Sequence, residues 1–461
     1  MGGARPGGCL SPHTDRDQLL SQRPYRPVTA LLEKASMITR RAALALSVLT
    51  LAGLTTAAAV AQTPRAGNWP QWQGPNRDGL STEKGLLKSW PAEGPKMLWR
   101  STGLGGGNST PSVAGGRIYG MSYAGQDETI WAVSEQDGKP IWKIKIASAN
   151  FNIGKQAHDG SGGTPTVSGN RVYALGVSGD LVCLDAASGK LVWQKNLVTD
   201  FGGRVPQWGY SESPLVDGNA VIAAPGGATA TMVALNKMTG DVIWKSAIPE
   251  ADGASYASAI IANVAGEREY IHFLSKGVVG VSAQDGAFRW RYNSPANGTA
   301  NCSTPIYRNN QVFAASGYGT GGGLAKLDKG PSGITPTEVY FTKRMQNHHG
   351  GMVLVGDYLY GFDGTNLTCI DFKTGEVKWF DRSVGKGSVA YADGLIYARS
   401  ENGPVAIVEA NPAAYVEKGR FNPPDKLGKT TWPHPVITGG RLYLRDMDQL
   451  FAYDINDPAT P

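Results

Sequence analysis

Cysteine and charge are both scarce in this chain. Four Cys in 461 residues exclude a disulfide-stapled scaffold. Asp, Glu, Lys and Arg make up 18% of the residues while apolar types make up 41%, a balance that excludes wholesale disorder. No Cys-x-x-Cys-His occurs, so no c-type haem is attached. The glycine run 317–323 lacks the Lys-Ser/Thr of a phosphate-binding loop. Beyond residues 42–60, no apolar run is long enough to span a bilayer. What is abundant is Gly, at 61 residues, together with 12 Trp. Many tight turns and many large buried rings are the composition of a large all-β protein.

The formal charge of +6 is concentrated at the start. Seven basic and three acidic residues precede Gln62; 37 basic and 35 acidic residues remain, about +2. A near-neutral body gives no electrostatic case for nucleic acid or anionic lipid. Arg40-Arg41, the Ala/Leu-rich run to Val60 and the small-x-small site Ala59-Val60-Ala61 form a secretory signal peptide, with cleavage expected after Ala61. The expected organisation is an over-extended start (1–36), a signal peptide (37–61), a lead-in (62–94), a repeat domain (95–455) and a tail (456–461). The mature protein is expected to be periplasmic or secreted, monomeric and without a transmembrane segment.

Five segments share a spacing of polar residue, Gly four later and Trp four after that: Ser134/Gly138/Trp142, Asp185/Gly189/Trp193, Asn236/Gly240/Trp244, Ser282/Gly286/Trp290 and Asp371/Gly375/Trp379. Alternating apolar runs flank each Gly, which is the pattern of a hairpin whose turn needs φ > 0. A second hairpin recurs upstream, with Gly115-Gly116, Gly169-Asn170, Asp393-Gly394 or Gly439-Gly440 at its turn. Two further units are degenerate, ending near Phe341 and Phe421. A last unit, from Trp432 to Ile455, has three strands, and the missing fourth is Lys96-Met97-Leu98-Trp99. The spacing, about 45 residues per unit, predicts an eight-bladed β-propeller of four-stranded antiparallel blades, its ring closed by an N-terminal strand.

The Gly-to-Trp motif, best kept in 184–193 and 370–379, resembles that of the pyrroloquinoline quinone-like (PQQ-like) β-propeller superfamily. The opening Trp69-Pro70-Gln71-Trp72-Gln73-Gly74-Pro75-Asn76-Arg77-Asp78-Gly79 is similar to a secreted bacterial branch of it. That superfamily holds quinoprotein alcohol dehydrogenases as well as the propeller lipoprotein of the outer-membrane assembly machinery. The resemblance implies PQQ and calcium as cofactors if the chain is a dehydrogenase. The family's adjacent cysteines are absent, however: Cys183, Cys302 and Cys369 are each isolated and expected to be free. Thr229 stands where the family's calcium-ligating Glu would be.

Long connections between blades, and between the middle strands of a blade, share one face, which is the expected working face. Residues just before each innermost strand should ring the channel mouth. Trp208, Tyr210, Glu212, His348, His349, Trp432 and His434 are the candidate binding residues, with His158-Asp159, Asn301, Asn347 and Lys386 in similar positions. Aromatic rings with imidazoles and few charges suit a small polar ligand or a protein partner. The reading is a binding or scaffold protein; the alternative is a PQQ- and calcium-dependent dehydrogenase with a divergent site.

Overall fold

A computed structural model describes residues 68–148, 162–250 and 252–459. The expected signal segment, its expected cleavage site and His158-Asp159 lie outside the described residues. Among the described residues every regular element is a strand, and no helix is long and apolar enough to cross a membrane.

The strands form eight antiparallel four-stranded blades, one of which gains a short parallel fifth strand at its inner edge. Blade 1 begins at Ser112–Ala114, blade 2 at Thr166–Ser168, blade 3 at Leu215–Asp217 and blade 4 at Ile260–Val264. Blade 5 begins at Ile306–Arg308, blade 6 at Met352–Val355, blade 7 at Gly387–Ala392 and blade 8 at Val436–Thr438. The degenerate units are real blades, with outer strands Gly333–Thr342 and Glu417–Phe421. Met97–Ser101 supplies the outer strand of blade 8, pairing Met97 with Tyr453 and Ser101 with Leu450. This is the expected closure of the ring by an N-terminal strand.

The recurring motif joins neighbouring blades. Each motif Gly has φ near +70° and sits under an aromatic ring of the preceding blade. A Cβ on Gly189 would lie 2.8 Å from Trp142, and one on Gly138 would lie 2.6 Å from Trp99. The indole N–H then donates across the same junction: Trp142 to Ala186 O at 3.2 Å, Trp193 to Lys237 O at 2.9 Å. Tyr340 takes the place of Trp in blade 5 and donates to Phe372 O at 2.9 Å, which explains why that unit looked degenerate. Apolar side chains fill all eight junctions, including the one between blades 8 and 1, where Val436 and Tyr443 meet Val113 and Ile118. Cys183 and Cys369 are buried, Cys302 is half-buried, and all three are free.

The lead-in does more than precede the ring. Trp69 pairs with Val113 of blade 1, and the Val167 N–H of blade 2 donates to Pro70 O at 2.8 Å. Arg77 donates to Ser213 O at 2.6 Å and Pro214 O at 3.2 Å, at the edge of blade 3. Trp72 donates to Thr304 Oγ1 at 2.8 Å before blade 5, and Gln73 to Gly350 O at 3.3 Å before blade 6. Leu80–Ser81 finally pairs in parallel with Tyr391 and Ala392 on the inner strand of blade 7. Residues 69–81 therefore cross the central channel and touch six blades. Arg77 is fully enclosed, and burial pulls its guanidinium down to about 9 despite the nearby Glu212.

Candidate functional site

The crossing segment divides the channel. On one side lies a cavity of about 220 Å³ bordered by Asn76, Asp78 and the inner strands of blades 4 to 6. On the other side, the face of the long connections, lies a cup of about 550 Å³ to which all eight blades contribute. Its aromatic lining is Trp72, Trp208, Tyr256, Tyr318 and Trp432, and its charged groups are Lys386 and Glu401, beside His348 and His349.

Four of the seven candidates named from the sequence line this cup: Trp208, His348, His349 and Trp432. The other three are buried behind it. Tyr210 donates to Pro225 O at 2.7 Å within the core shared by blades 2 and 3. Glu212 accepts the Ala224 N–H at 2.6 Å and meets His272 Nε2 at 2.7 Å, tying blade 3 to blade 4. His434 Nε2 donates to His349 O at 2.9 Å, which fixes its tautomer, and its ring lies 4.4 Å from that of Trp72. Asn301 and Asn347 are likewise buried and bond to loop backbone, while Lys386 reaches the cup.

The wall is held by groups behind it. Buried Arg399 donates to Pro433 O and Thr431 Oγ1, both at 3.0 Å, and so sets the loop that carries Trp432. The Trp432 N–H donates to Asn108 Oδ1 at 3.2 Å. Trp208 stands against Tyr256 with ring centroids 5.5 Å apart. Trp72 forms the floor because its indole is anchored to Thr304.

The charges on the wall are committed to one another. Glu401 Oε2 accepts the Trp432 Nε1–H at 3.3 Å and lies within ion-pair distance of His349 Nε2, at 3.1 Å, and of Lys386 Nζ, at 3.4 Å. Burial pushes the Glu401 carboxyl up, but His349 and Lys386 outweigh it and hold it at about 2. Burial, reinforced by Lys386 and His349, lowers His348 to about 4, where its Nε2 contacts Tyr318 Oη at 3.0 Å. Burial lowers His434 to about 4 as well, and it pushes the Cys302 thiol up to about 12. At neutral pH Lys386 and Glu401 therefore face each other as an ion pair, beside an uncharged His348.

The resemblance to quinoproteins can be tested on this donor set. Calcium needs several oxygen ligands, usually carboxylates. Among the described residues Glu401 is the only carboxylate on the wall, and one of its oxygens already faces Trp432, His349 and Lys386. Among the described residues no group of three His, Cys, Asp or Glu is placed to hold a metal ion. Cys302 has no neighbouring Cys with which to form the family's disulfide ring. The residues described do not fit PQQ with calcium.

Sequence reading missed Trp72, Tyr256, Tyr318 and Glu401. Tyr256 precedes the inner strand of blade 4 and obeys the rule that found Trp208. Tyr318 and Glu401 sit on connections between the middle strands of blades 5 and 7, whose paths no repeat spacing fixes. Trp72 reaches the floor only through contacts more than two hundred residues away in sequence.

Fold and cup together define a PQQ-like β-propeller with a blind-ended mouth. The family model described as outer membrane protein assembly factor BamB matches residues 79–150 and 126–381, and the chain belongs to that family. It is 22% identical to the tetrathionate hydrolase of Acidithiobacillus ferrooxidans over 442 residues, covering 81% of this chain and 79% of the other. It is 35% identical to BamB of Salmonella typhimurium over 98 residues, 21% of this chain and 24% of that protein. Among solved structures, BamB from Moraxella catarrhalis aligns with a TM-score of 0.56 at 14% identity, over 78% of this chain and all of the other. A quinohemoprotein alcohol dehydrogenase from Comamonas testosteroni aligns with a TM-score of 0.57 at 14% identity, over 87% and 82%. At such identities the structural likeness speaks for the fold alone.

Proposed function

We propose that this chain is an exported, non-catalytic propeller that binds a ligand or partner at its aromatic mouth and acts as a binding or scaffold protein. The observation that carries this reading is the pairing of Glu401 with His349, Trp432 and Lys386 inside a ring of five aromatic residues. A carboxylate held near 2 is a poor general base at neutral pH, because it takes up a proton only reluctantly. A thiol pushed to about 12 is a poor nucleophile for the same kind of reason. Aromatic surface with a few oriented polar groups is, by contrast, what a binding site requires. Membership of a family described by an assembly factor supports the scaffold role. The signal-like segment before Gln62 supports export to the periplasm or beyond.

The test is to load the purified mature chain with PQQ and Ca²⁺, then follow visible absorbance and alcohol-dependent dye reduction. A parallel sample receives tetrathionate. The expected outcome is that no quinone is retained, no dye is reduced and no tetrathionate is consumed. Alcohol-dependent dye reduction, or turnover of tetrathionate, would overturn the non-catalytic reading.

A further inference from the structure

The cup has three properties that together select a ligand class. Its faces are aromatic, with Trp208, Tyr256, Tyr318 and Trp432 around the wall and Trp72 below. Its ionic groups are already paired with each other. Its floor is closed by residues 69–81, so nothing threads through it.

Resting on the binding reading above, we infer that the mouth receives the end of a neutral saccharide chain. A charged guest would have to compete for Lys386 or Glu401 and leave the displaced partner desolvated and unpaired, which is costly. An uncharged guest leaves the Glu401 cluster intact. Among uncharged polar molecules, a sugar ring is a flat amphipathic disc. Its axial C–H bonds point out of the faces, while its hydroxyls point outward around the edge. Aromatic faces carry negative charge density and attract such C–H bonds. Edge hydroxyls need both donors and acceptors, and the wall offers both. The hydroxyls of Thr110, Ser213 and Ser258 each accept one backbone N–H, from His434, Thr164 and Ser213, at 2.8 to 2.9 Å. A hydroxyl that accepts one bond keeps a second lone pair and its own proton in its inventory. The volume, about 550 Å³, lies inside the usual span of small-molecule sites, roughly 300–1,000 Å³. A blind cup of that size admits a chain terminus and excludes the interior of a polymer.

The experiment titrates the mature chain with maltotriose, cellotriose and triacetylchitotriose, following tryptophan fluorescence and calorimetry. The charged comparators are chitosan triose and trigalacturonate, and an uncharged aromatic tripeptide serves as the non-saccharide control. At least one neutral trisaccharide should bind, and the charged comparators should bind about 10-fold more weakly, since each would leave a half-buried charge unpaired. Trp208→Ala and Trp432→Ala should each weaken binding about 10-fold through lost ring contact. Lys386→Gln removes a cation from beside Glu401 and should shift preference toward the cationic chitosan triose. Stronger binding of a charged trisaccharide by the unaltered protein would overturn the inference. So would binding of the tripeptide alone, sensitive to Trp208→Ala, although the binding mouth itself would stand. If none of these probes perturbs the mouth tryptophans, the saccharide inference and the binding reading fall together.

Discussion

Glu128 shows how far a single burial can move a group in this fold. Its carboxyl is fully enclosed between blades 1 and 2 and accepts the Val177 N–H at 3.1 and 3.2 Å. Burial outweighs that bond and pushes its pKa up to about 8; Glu269, also pushed up by burial, reaches about 7. The folded state thus holds protons that the unfolded chain releases near its ordinary carboxyl pKa. The stabilisation is fully present below that value and is lost as pH rises through about 7 to 8. His348 and His434 act in the opposite sense. Their lowered values contribute stability above the ordinary imidazole range that is lost as pH falls toward about 4. The melting temperature should therefore peak in mild acid and decline toward pH 8. Glu128→Gln should recover about 2–5 °C of that decline at pH 8, measured by calorimetry, with little change at pH 5. A parallel decline in variant and wild type would remove Glu128 from the explanation. At this scale the sequence was legible where position alone decides. Trp208 and Trp432 could be placed because they precede inner strands. Whether a neighbour such as Tyr210 or Glu212 faces the cup or the core depends on packing against the adjoining blade, which no spacing records.

The repeating element could be read because its two conserved requirements are local. A Gly at φ near +70° makes the turn and leaves room for the aromatic ring of the preceding blade. The closing strand was legible for the same reason, since Trp99 occupies the Trp position of an incomplete blade and packs over Gly138. The crossing segment was not legible. Its partners, from Val113 to Tyr391, are scattered along the chain, and its own sequence has no periodicity. Two truncations separate these roles. Removing residues 62–81 should unblock the channel while leaving the ring shut, giving a folded protein with lowered stability and an altered mouth. Removing residues 62–100 also takes the strand paired with Gln449–Asp454 and leaves an open sheet edge. Losing Trp99 from its packing site should alone cost about 3–5 kcal/mol. The longer truncation should aggregate or melt far lower than the shorter one. Equal melting of the two would show that the outer strand is not the closure.

At the scale of the whole molecule the ring has no free end: eight apolar junctions run around it, and the last joins blade 8 to blade 1. The exported form should start at or near Gln62, which keeps both the crossing segment and the closing strand. N-terminal sequencing of protein recovered from the producing cell checks this, and an intact 1–61 in exported protein would refute it. The pairing of Met97 with Tyr453 also fixes an order of events. The strand that seals the ring is among the first parts of the mature chain to leave the ribosome, and its partner is among the last. No shortened product lacking Gln449–Asp454 can seal, whatever the state of its other blades. Because closing so long a loop is slow, sealing should be the late step of folding. The joint between the two ends thus acts as a check on length: only a chain translated to its final blade holds both strands that close the ring.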